Sequence, residues 1–576
     1  MTFWAWAVFL LVTGYTIWDG VRRTIGVKTM DGFFAAGRSI PWWAAGLSVM
    51  ATQLSAITLI GGVGMGYENG LEWVQSYFAL PFAMIVLCIW FIPMYRQHPI
   101  LTAYEYLERR FGPVTRALTS FTFLVSRCLA FGVVLYAPAV VFAAMTGIPI
   151  TPMVIATGLV TTAYTVAGGV GGVVWTDVKQ MAIIVIGILV CLAILLWDTV
   201  GQLSFAGVIR ALGAVGKLNA VEVTNQDWVL APAVTEAEAK VSFWSDKYNL
   251  WTGLFGTLFL FLSYFGCDQV QVQSLLSSRS VDASRRALLL SAFTKIPLQL
   301  LVLFLGGLLF LHHALGREPL LFDPAQQTAA AALDGAARQR FDEAGTAHAA
   351  AIVDRRQALL QVAAGDASAI ARSQTATAAA AAARTTARTV VQPDPDRRKD
   401  GNYIFTDYLF RETPKPILGL MIAAIFAAAI SSAAGALSSL TSATMVDFYR
   451  RWLAPQATER RTLWTSRVVM SLWGIAATAF AITLDDGPLL EKVNEIGSCF
   501  YGSILGVFLL ALFVPRAGGR AASAGLVGGL LSVLTVHLTL QVAFLWDNLV
   551  GCAGCMTVGV LVALVQGRRP TAAPAS

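Results

Sequence analysis

Between Pro416 and Val446 the chain has no charged residue, and the stretch includes seven hydroxyl side chains, beginning with the adjacent Ser431 and Ser432. At about 1.5 Å of rise per residue, a helix of this length outspans the roughly 30 Å hydrocarbon core of a bilayer. It is built mostly of Ala, Gly and Ser rather than Leu, which suits a helix packed closely among other helices. Ala428, Ser431, Ser432, Gly435, Ser439 and Ser442 recur every three or four residues and so line one face. Two uncharged oxygens beside a backbone loosened by small neighbours suit a weakly held alkali cation. The same serines also suit hydrogen bonding between helices, and this stretch alone leaves both readings open.

The remaining sequence sets that helix among others like it. Of 576 residues, 56% are hydrophobic and 13% charged, about half the charged share of a soluble domain. Apolar segments of membrane-spanning length fall near 2–19, 42–66, 72–95, 115–145, 149–167, 174–197, 250–275, 285–314, 416–446, 462–484, 492–514, 521–541 and 545–566. This is an all-α polytopic membrane protein of about 13 transmembrane helices. Basic residues gather in alternate short loops: Arg22, Arg23, Lys28 and Arg38; Arg96, Arg109, Arg110 and Arg116; Arg279, Arg285 and Arg286; Arg450, Arg451, Arg460 and Arg461; Arg516 and Arg520; Arg568 and Arg569. The bias of such residues toward the cytoplasm predicts the N-terminus outside and the C-terminus inside. The first apolar segment has its basic cluster after it rather than before it, which reads as a retained anchor and not a cleaved signal.

The net charge of +7 is largely accounted for by those loops and calls for no nucleic-acid partner. All seven cysteines lie in or beside apolar segments, so no disulfide framework is implied, and the Cys552–Cys555 pair has no histidine near it. Two polar regions, 199–249 and 317–415, interrupt the rhythm of spans. The second reads as a soluble outside insertion, helical from about Pro324 to Ala364 and again near Ala367 to Ala387. It is either a decorative helical hairpin or a docking module.

Ionisable residues inside a bilayer cost several kcal/mol unless they face a partner or a cavity, so each one is a functional candidate. Arg127 lies about 18 Å into its helix, and Lys295 precedes the helix-kinking Pro297. For both, structural pairing and anion binding remain open. Asp177 and Asp268 sit at span ends, where solvation at the interface is the simpler expectation. The segment Gly46–Gly70 is apolar but interrupted by Thr52, Gln53, Ser55 and Thr58, the pattern of a helix broken near the midplane.

Taken together, DGFFAAGRSIPWW, ATQLSAITLIG, VAGGVGGVVWTDVKQ, FLSYFGCDQVQVQSLLSSRSVDASRRALLLSAFTKIP and GLMIAAIFAAAISSAAGALSSLTSATMVDFY, in order from residue 31 to 449, resemble the sodium/solute symporter family. The resemblance fades toward the C-terminus. It implies a LeuT-like core of two inverted five-helix repeats with extra N- and C-terminal helices. The chain then divides into an extra helix and linker (1–30), the first repeat and the start of the second (31–316), the outside insertion (317–415), the rest of the second repeat (416–515) and C-terminal helices (516–576).

Carried over by position, the family's shared Na⁺ site takes backbone carbonyls from Ala51, Leu54 and Ala428 and hydroxyls from Ser431 and Ser432. A second Na⁺ site in some members uses an aspartate matching Asp177, but the two serines it also needs are here Ala434 and Gly435, which implies one Na⁺ per cycle. Positions contacting sugar in some members match Gln53, Thr58, Tyr77, Phe261, Lys295 and Asn494; an acidic sugar ligand is replaced by Tyr77. Positions holding a carboxylate in the sialic acid members match Ser55, Thr58 and Arg127, and Tyr264 matches an inner gate. The resemblance therefore implies a multi-pass carrier of a bacterial inner membrane that imports a small anionic solute, a carboxylate or acidic sugar, together with Na⁺. A neutral-solute symporter and a transporter-like solute sensor are the alternatives, although a sensor is expected to carry an output domain after its last span. An enzyme is not expected, because His98, His312, His313, His348 and His537 lack metal-site spacing and no nucleophile motif is present.

Overall fold

A computed structural model describes residues 3–24, 39–97, 100–223, 242–394, 400–484 and 489–566. Lys28, Arg38, Arg568 and Arg569, which enter the orientation argument, lie outside these residues, as does the first part of DGFFAAGRSIPWW. Among the described residues the regular structure is helical, apart from an isolated bridge between Ile40 and Ser278. Ten helices are long and apolar enough to cross a membrane, or twelve if each of two bent pairs counts as one span.

The first bent pair, α2 (Trp42–Gln53) and α3 (Ala56–Asn69), follows α1 (Phe3–Thr24) and turns by 60° at its break. The first repeat continues through α4 (Glu72–Arg96), the short α5 (Ala103–Phe111), α6 (Pro113–Thr146) and α7 (Ile150–Leu203), which carries two apolar stretches and leads into α8 (Phe205–Ala214). The second bent pair, α9 (Thr252–Gly266) and α10 (Gln269–Leu276), turns by 52° and opens the second repeat, followed by α11 (Val281–Leu315). The insertion at 317–415 supplies α12 (Pro324–Ala331), α13 (Gly335–Ala364), α14 (Ile370–Val391) and α15 (Gly401–Arg411). Then come α16 (Lys415–Leu453), α17 (Glu459–Ile482) and α18 (Leu489–Phe513), with α19 (Gly519–Thr539) and α20 (Phe544–Val565) at the C-terminal end.

The uncharged stretch is the centre of the bundle. In α16, 89% of the most apolar part is buried inside the molecule, against 28% in α17. Its small residues permit this: a Cβ on Gly419 would stand 2.4 Å from the Ala5 carbonyl of α1, and one on Gly435 would stand 3.3 Å from both Thr52 and Val270. Such close approach gives backbone contacts that Leu side chains would prevent, which is how helices associate where lipid is as apolar as the helix surface. Cys552 and Cys555 are buried and unoxidised, with Cys555 against Gly506 and Gly525, in keeping with a packing role.

The insertion is packed onto the bundle rather than hung from it. Helices α13 and α14 form a hairpin, and Arg210 of α8 donates to the Ala363 carbonyl at 2.9 Å while Gln374 donates to the Ala214 carbonyl at 2.9 Å. A buried ionic cluster fastens its base. Arg355 and Arg384 reach Glu318 at 2.6 and 3.3 Å, the Tyr67 hydroxyl donates to Glu318 at 2.5 Å, and Arg384 and Arg388 bind Asp400 at 3.0 and 2.9 Å. Burial alone would raise the Glu318 carboxyl, but the guanidinium groups of Arg355 and Arg384 prevail and hold it down at about 2. Tyr67 belongs to α3 and Asp400 precedes α15, so the cluster ties the second half of the first bent pair to the insertion. There α3 and α15 touch through glycines, since a Cβ on Gly64 would meet the Gly401 carbonyl at 2.3 Å.

Candidate functional site

The break between α2 and α3 is made by Leu54 and Ser55, both outside helical geometry, with ψ angles of 71° and 169°. Polar side chains tolerate such an interruption because they and neighbouring helices satisfy the freed backbone groups. Lining the break from the other side is the hydroxyl face of α16. Ser432 Oγ donates to the Thr52 carbonyl at 3.0 Å, so the adjacent serines lie against the break. Ala51, Leu54, Ala428 and Ser431 are at most 1% exposed and Ser432 6%. The structure thus brings the two elements carrying the five predicted cation-binding residues, the broken helix and α16, against one another.

Asp177 departs from the simple expectation of a solvated interfacial charge. It is 1% exposed, and it accepts from Ser431 Oγ and Ser48 Oγ, each at 2.5 Å. Ser48 was not singled out in the sequence, although it lies one helical turn before Thr52, whose hydroxyl donates back to the Ser48 carbonyl at 2.9 Å. These bonds join α2, α7 and α16 into one polar seam through Asp177.

Beside this seam a cavity opens. It is lined by Gln53, Ser55, Thr58, Tyr77, Arg127, Phe261, Lys295 and Asn494, all expected from the sequence to face solute, together with Tyr264, expected as an inner gate, and Ser432. Thr52, Val493, Leu490 and Tyr501 also line it and were not anticipated. Tyr77 stacks on Phe261 with ring centroids 5.8 Å apart, and Tyr264 lies 6.0 Å from Tyr501. Several polar groups are turned back onto backbone: Gln53 Nε2 donates to the Val49 carbonyl at 3.1 Å, Thr58 Oγ1 to the Gln53 carbonyl at 3.3 Å, and Asn494 Nδ2 to the Leu490 carbonyl at 2.7 Å.

The two cations of the cavity have different surroundings. Arg127 is ion-paired with Asp268, which is 3% exposed and not the solvated residue its position suggested. Asp268 caps α10 by accepting from the Val270 N–H at 2.8 Å, and Tyr501 donates to it at 3.2 Å. Lys295 is 3% exposed and has no carboxylate partner among the described residues. Its ammonium group lies 5.6 Å over the Tyr77 ring and 3.5 Å from the Gln53 carbonyl. A buried cation with only these neighbours keeps a strong attraction for an anion entering the cavity.

Comparison with known proteins reaches most of the chain. The family model described as Sodium:solute symporter family matches residues 33–336 and 378–529. A sodium/sialic acid symporter of Aliivibrio fischeri is 25% identical over 93% of this chain and 88% of its own length. A sodium-dependent multivitamin transporter of Oryctolagus cuniculus is 26% identical over 92% of this chain and 70% of its own length. Among solved structures, a Na⁺-coupled sialic acid symporter in a substrate-bound outward-open state superposes with a TM-score of 0.74 at 22% identity, covering 100% of both chains. The chain therefore has the same fold as that transporter, two inverted repeats each opened by a bent helix.

Proposed function

Because the chain belongs to the sodium:solute symporter family, we propose that it imports a small organic anion, a carboxylate or acidic sugar, with one Na⁺ per cycle by alternating access. The observation that carries the choice of an anion is Lys295, a buried cation facing the cavity without a carboxylate partner among the described residues. The sialic acid specificity in the name of the Aliivibrio fischeri relative points the same way.

In this reading the carbonyls of Ala51, Leu54 and Ala428 and the hydroxyls of Ser431 and Ser432 hold Na⁺ between the first break and α16. Oxygens without full charge suit a reversible hold. Entry of Na⁺, favoured by about 2.3 kcal/mol per charge for each 100 mV, draws α2, α3 and α16 together and completes the solute cavity beside them. Solute and Na⁺ then strengthen each other's binding by the same factor. Opening near Tyr264 releases Na⁺ first and loosens the solute. Asp177 keeps its bonds to Ser48 and Ser431 as a support for the Na⁺ site; a second Na⁺ there would lack the hydroxyls replaced by Ala434 and Gly435.

Protein in liposomes is expected to accumulate radiolabelled N-acetylneuraminate or pyruvate under an inward Na⁺ gradient and not under a K⁺ gradient. Equal uptake under the two gradients would refute Na⁺ coupling. Ser431→Ala and Ser432→Ala are each expected to raise the Na⁺ concentration for half-maximal uptake by about tenfold, the effect of losing one oxygen ligand worth about 1.4 kcal/mol. Unchanged Na⁺ dependence in both would move the ion elsewhere.

A further inference from the structure

Arg127 and Lys295 both line the cavity, yet the structure assigns them unequal charge, and the difference is made by a residue that does not line it. Asp268 sits in the break between α9 and α10, its side chain committed on every side to Arg127, the Val270 N–H and the Tyr501 hydroxyl. With Arg127 neutralised, the cavity holds, among the described residues, one uncompensated cation, Lys295, and no acidic side chain. Building on the anionic-solute reading, we propose that Asp268 is a specificity-determining residue that sets the charge of the accepted solute at minus one.

The argument is electrostatic. A monoanion entering the cavity neutralises Lys295 and leaves no net buried charge. A dianion leaves one negative charge uncompensated among largely buried side chains, which disfavours its binding. Arg127 cannot absorb that charge unless it releases Asp268, which would strand a carboxylate in the break. Its remaining contribution is as a dipolar donor: the buried Nε–H of Arg127 has no hydrogen-bond partner among the described residues, and it is available to a neutral or anionic solute oxygen without changing the charge count. Tyr264, whose ring lies 5.8 Å from the Arg127 guanidinium, lines the cavity beside it. Asp268 acts through Arg127 and is thus a positioning residue in contact with neither solute nor Na⁺.

Asp268→Asn keeps the shape and the cap to Val270 while freeing the Arg127 charge, and Arg127→Gln combined with Asp268→Asn returns the cavity to one cation. Binding is read as Na⁺-dependent thermal stabilisation of the full-length protein by N-acetylneuraminate and pyruvate, as monoanions, and by succinate as a dianion. Wild type is expected to prefer the monoanions to succinate by at least a hundredfold in apparent Kd. Asp268→Asn is expected to shift that ratio toward succinate by at least tenfold, and the double variant to restore it. A succinate preference unmoved by Asp268→Asn, whether or not that variant still transports, or a double variant behaving like Asp268→Asn, would overturn the assignment. Lys295→Gln separates this from the broader reading: if it leaves monoanion binding intact, the anionic-solute reading itself fails, whatever Asp268→Asn does.

Discussion

Lys295→Met is expected to remove solute uptake while sparing the response to Na⁺. Methionine fills much of the lysine's volume with a flexible apolar chain, so the packing around Tyr77 and Phe261 is largely kept. What is lost is the partner of the solute's charge. Truncating one member of a buried, hydrogen-bonded charge pair costs about 2 to 5 kcal/mol, equivalent to a rise in KM from about thirtyfold to several thousandfold. The Na⁺ residues proposed on α16 and at the first break are not touched, so thermal stabilisation by NaCl alone should persist in the variant. A KM for N-acetylneuraminate or pyruvate within a few-fold of wild type would show that the cavity recognises its solute by hydrogen bonding and shape instead. Loss of both solute and Na⁺ responses would mark Lys295 as a structural residue.

The second large effect concerns the insertion. Arg384→Ala is expected to destabilise it by about 3 to 5 kcal/mol, because two carboxylates with side-chain exposures of 4% and 0%, Glu318 and Asp400, lose a shared cation. Arg388 and Arg355 still hold one carboxylate each, yet nothing then bridges them. Hydrogen exchange of α13 and α14 should accelerate by about two to four orders of magnitude while the helices of the bundle stay protected. By contrast, Arg338→Ala, which breaks a pair with Asp342 whose side chains are 48% and 55% exposed, should change exchange by no more than about 1 kcal/mol. Equal protection in the Arg384 variant and wild type would make the cluster energetically idle. Acid provides an independent reading. Glu318 is depressed from 4.5 to about 2, so its contribution is fully present above about pH 4.5 and disappears as pH falls toward 2. Removing Arg384 lets burial push that carboxyl upward, and the insertion should loosen at a higher pH than it does in wild type.

How much of this was legible in the chain depends on whether the information is local. The central position of α16 follows from its own composition, since a run of small residues without charge suits only a helix enclosed by others. The first break was equally local: Thr52, Gln53, Ser55 and Thr58 interrupt an apolar segment within seven residues. The second was missed, because 250–275 read as one apolar segment with Asp268 toward its end, and only the structure shows the 52° bend there with the helix beyond it. Pairing was the least accessible. Arg127 and Asp268 are 141 residues apart, Ser48 and Asp177 129, and Glu318 and Arg384 66. No periodicity links such positions; tertiary packing alone decides which buried charge is paired and which, like Lys295, is left facing the cavity. The helices of the insertion were predicted from Ala-rich periodicity, but their fastening to Tyr67 and Asp400 was not, for the same reason.

Gly435 gives the bundle a common bearing. Its missing side chain leaves room for Thr52 of the first bent pair and Val270 of the second, each 3.3 Å from where a Cβ would be. Both bent pairs therefore meet α16 at the same glycine. A side chain placed there would press on both at once, since 3.3 Å is closer than a Cβ ordinarily comes to its neighbours. The packing of both bent pairs against α16 is thus set by a hydrogen atom where any other residue would place a carbon.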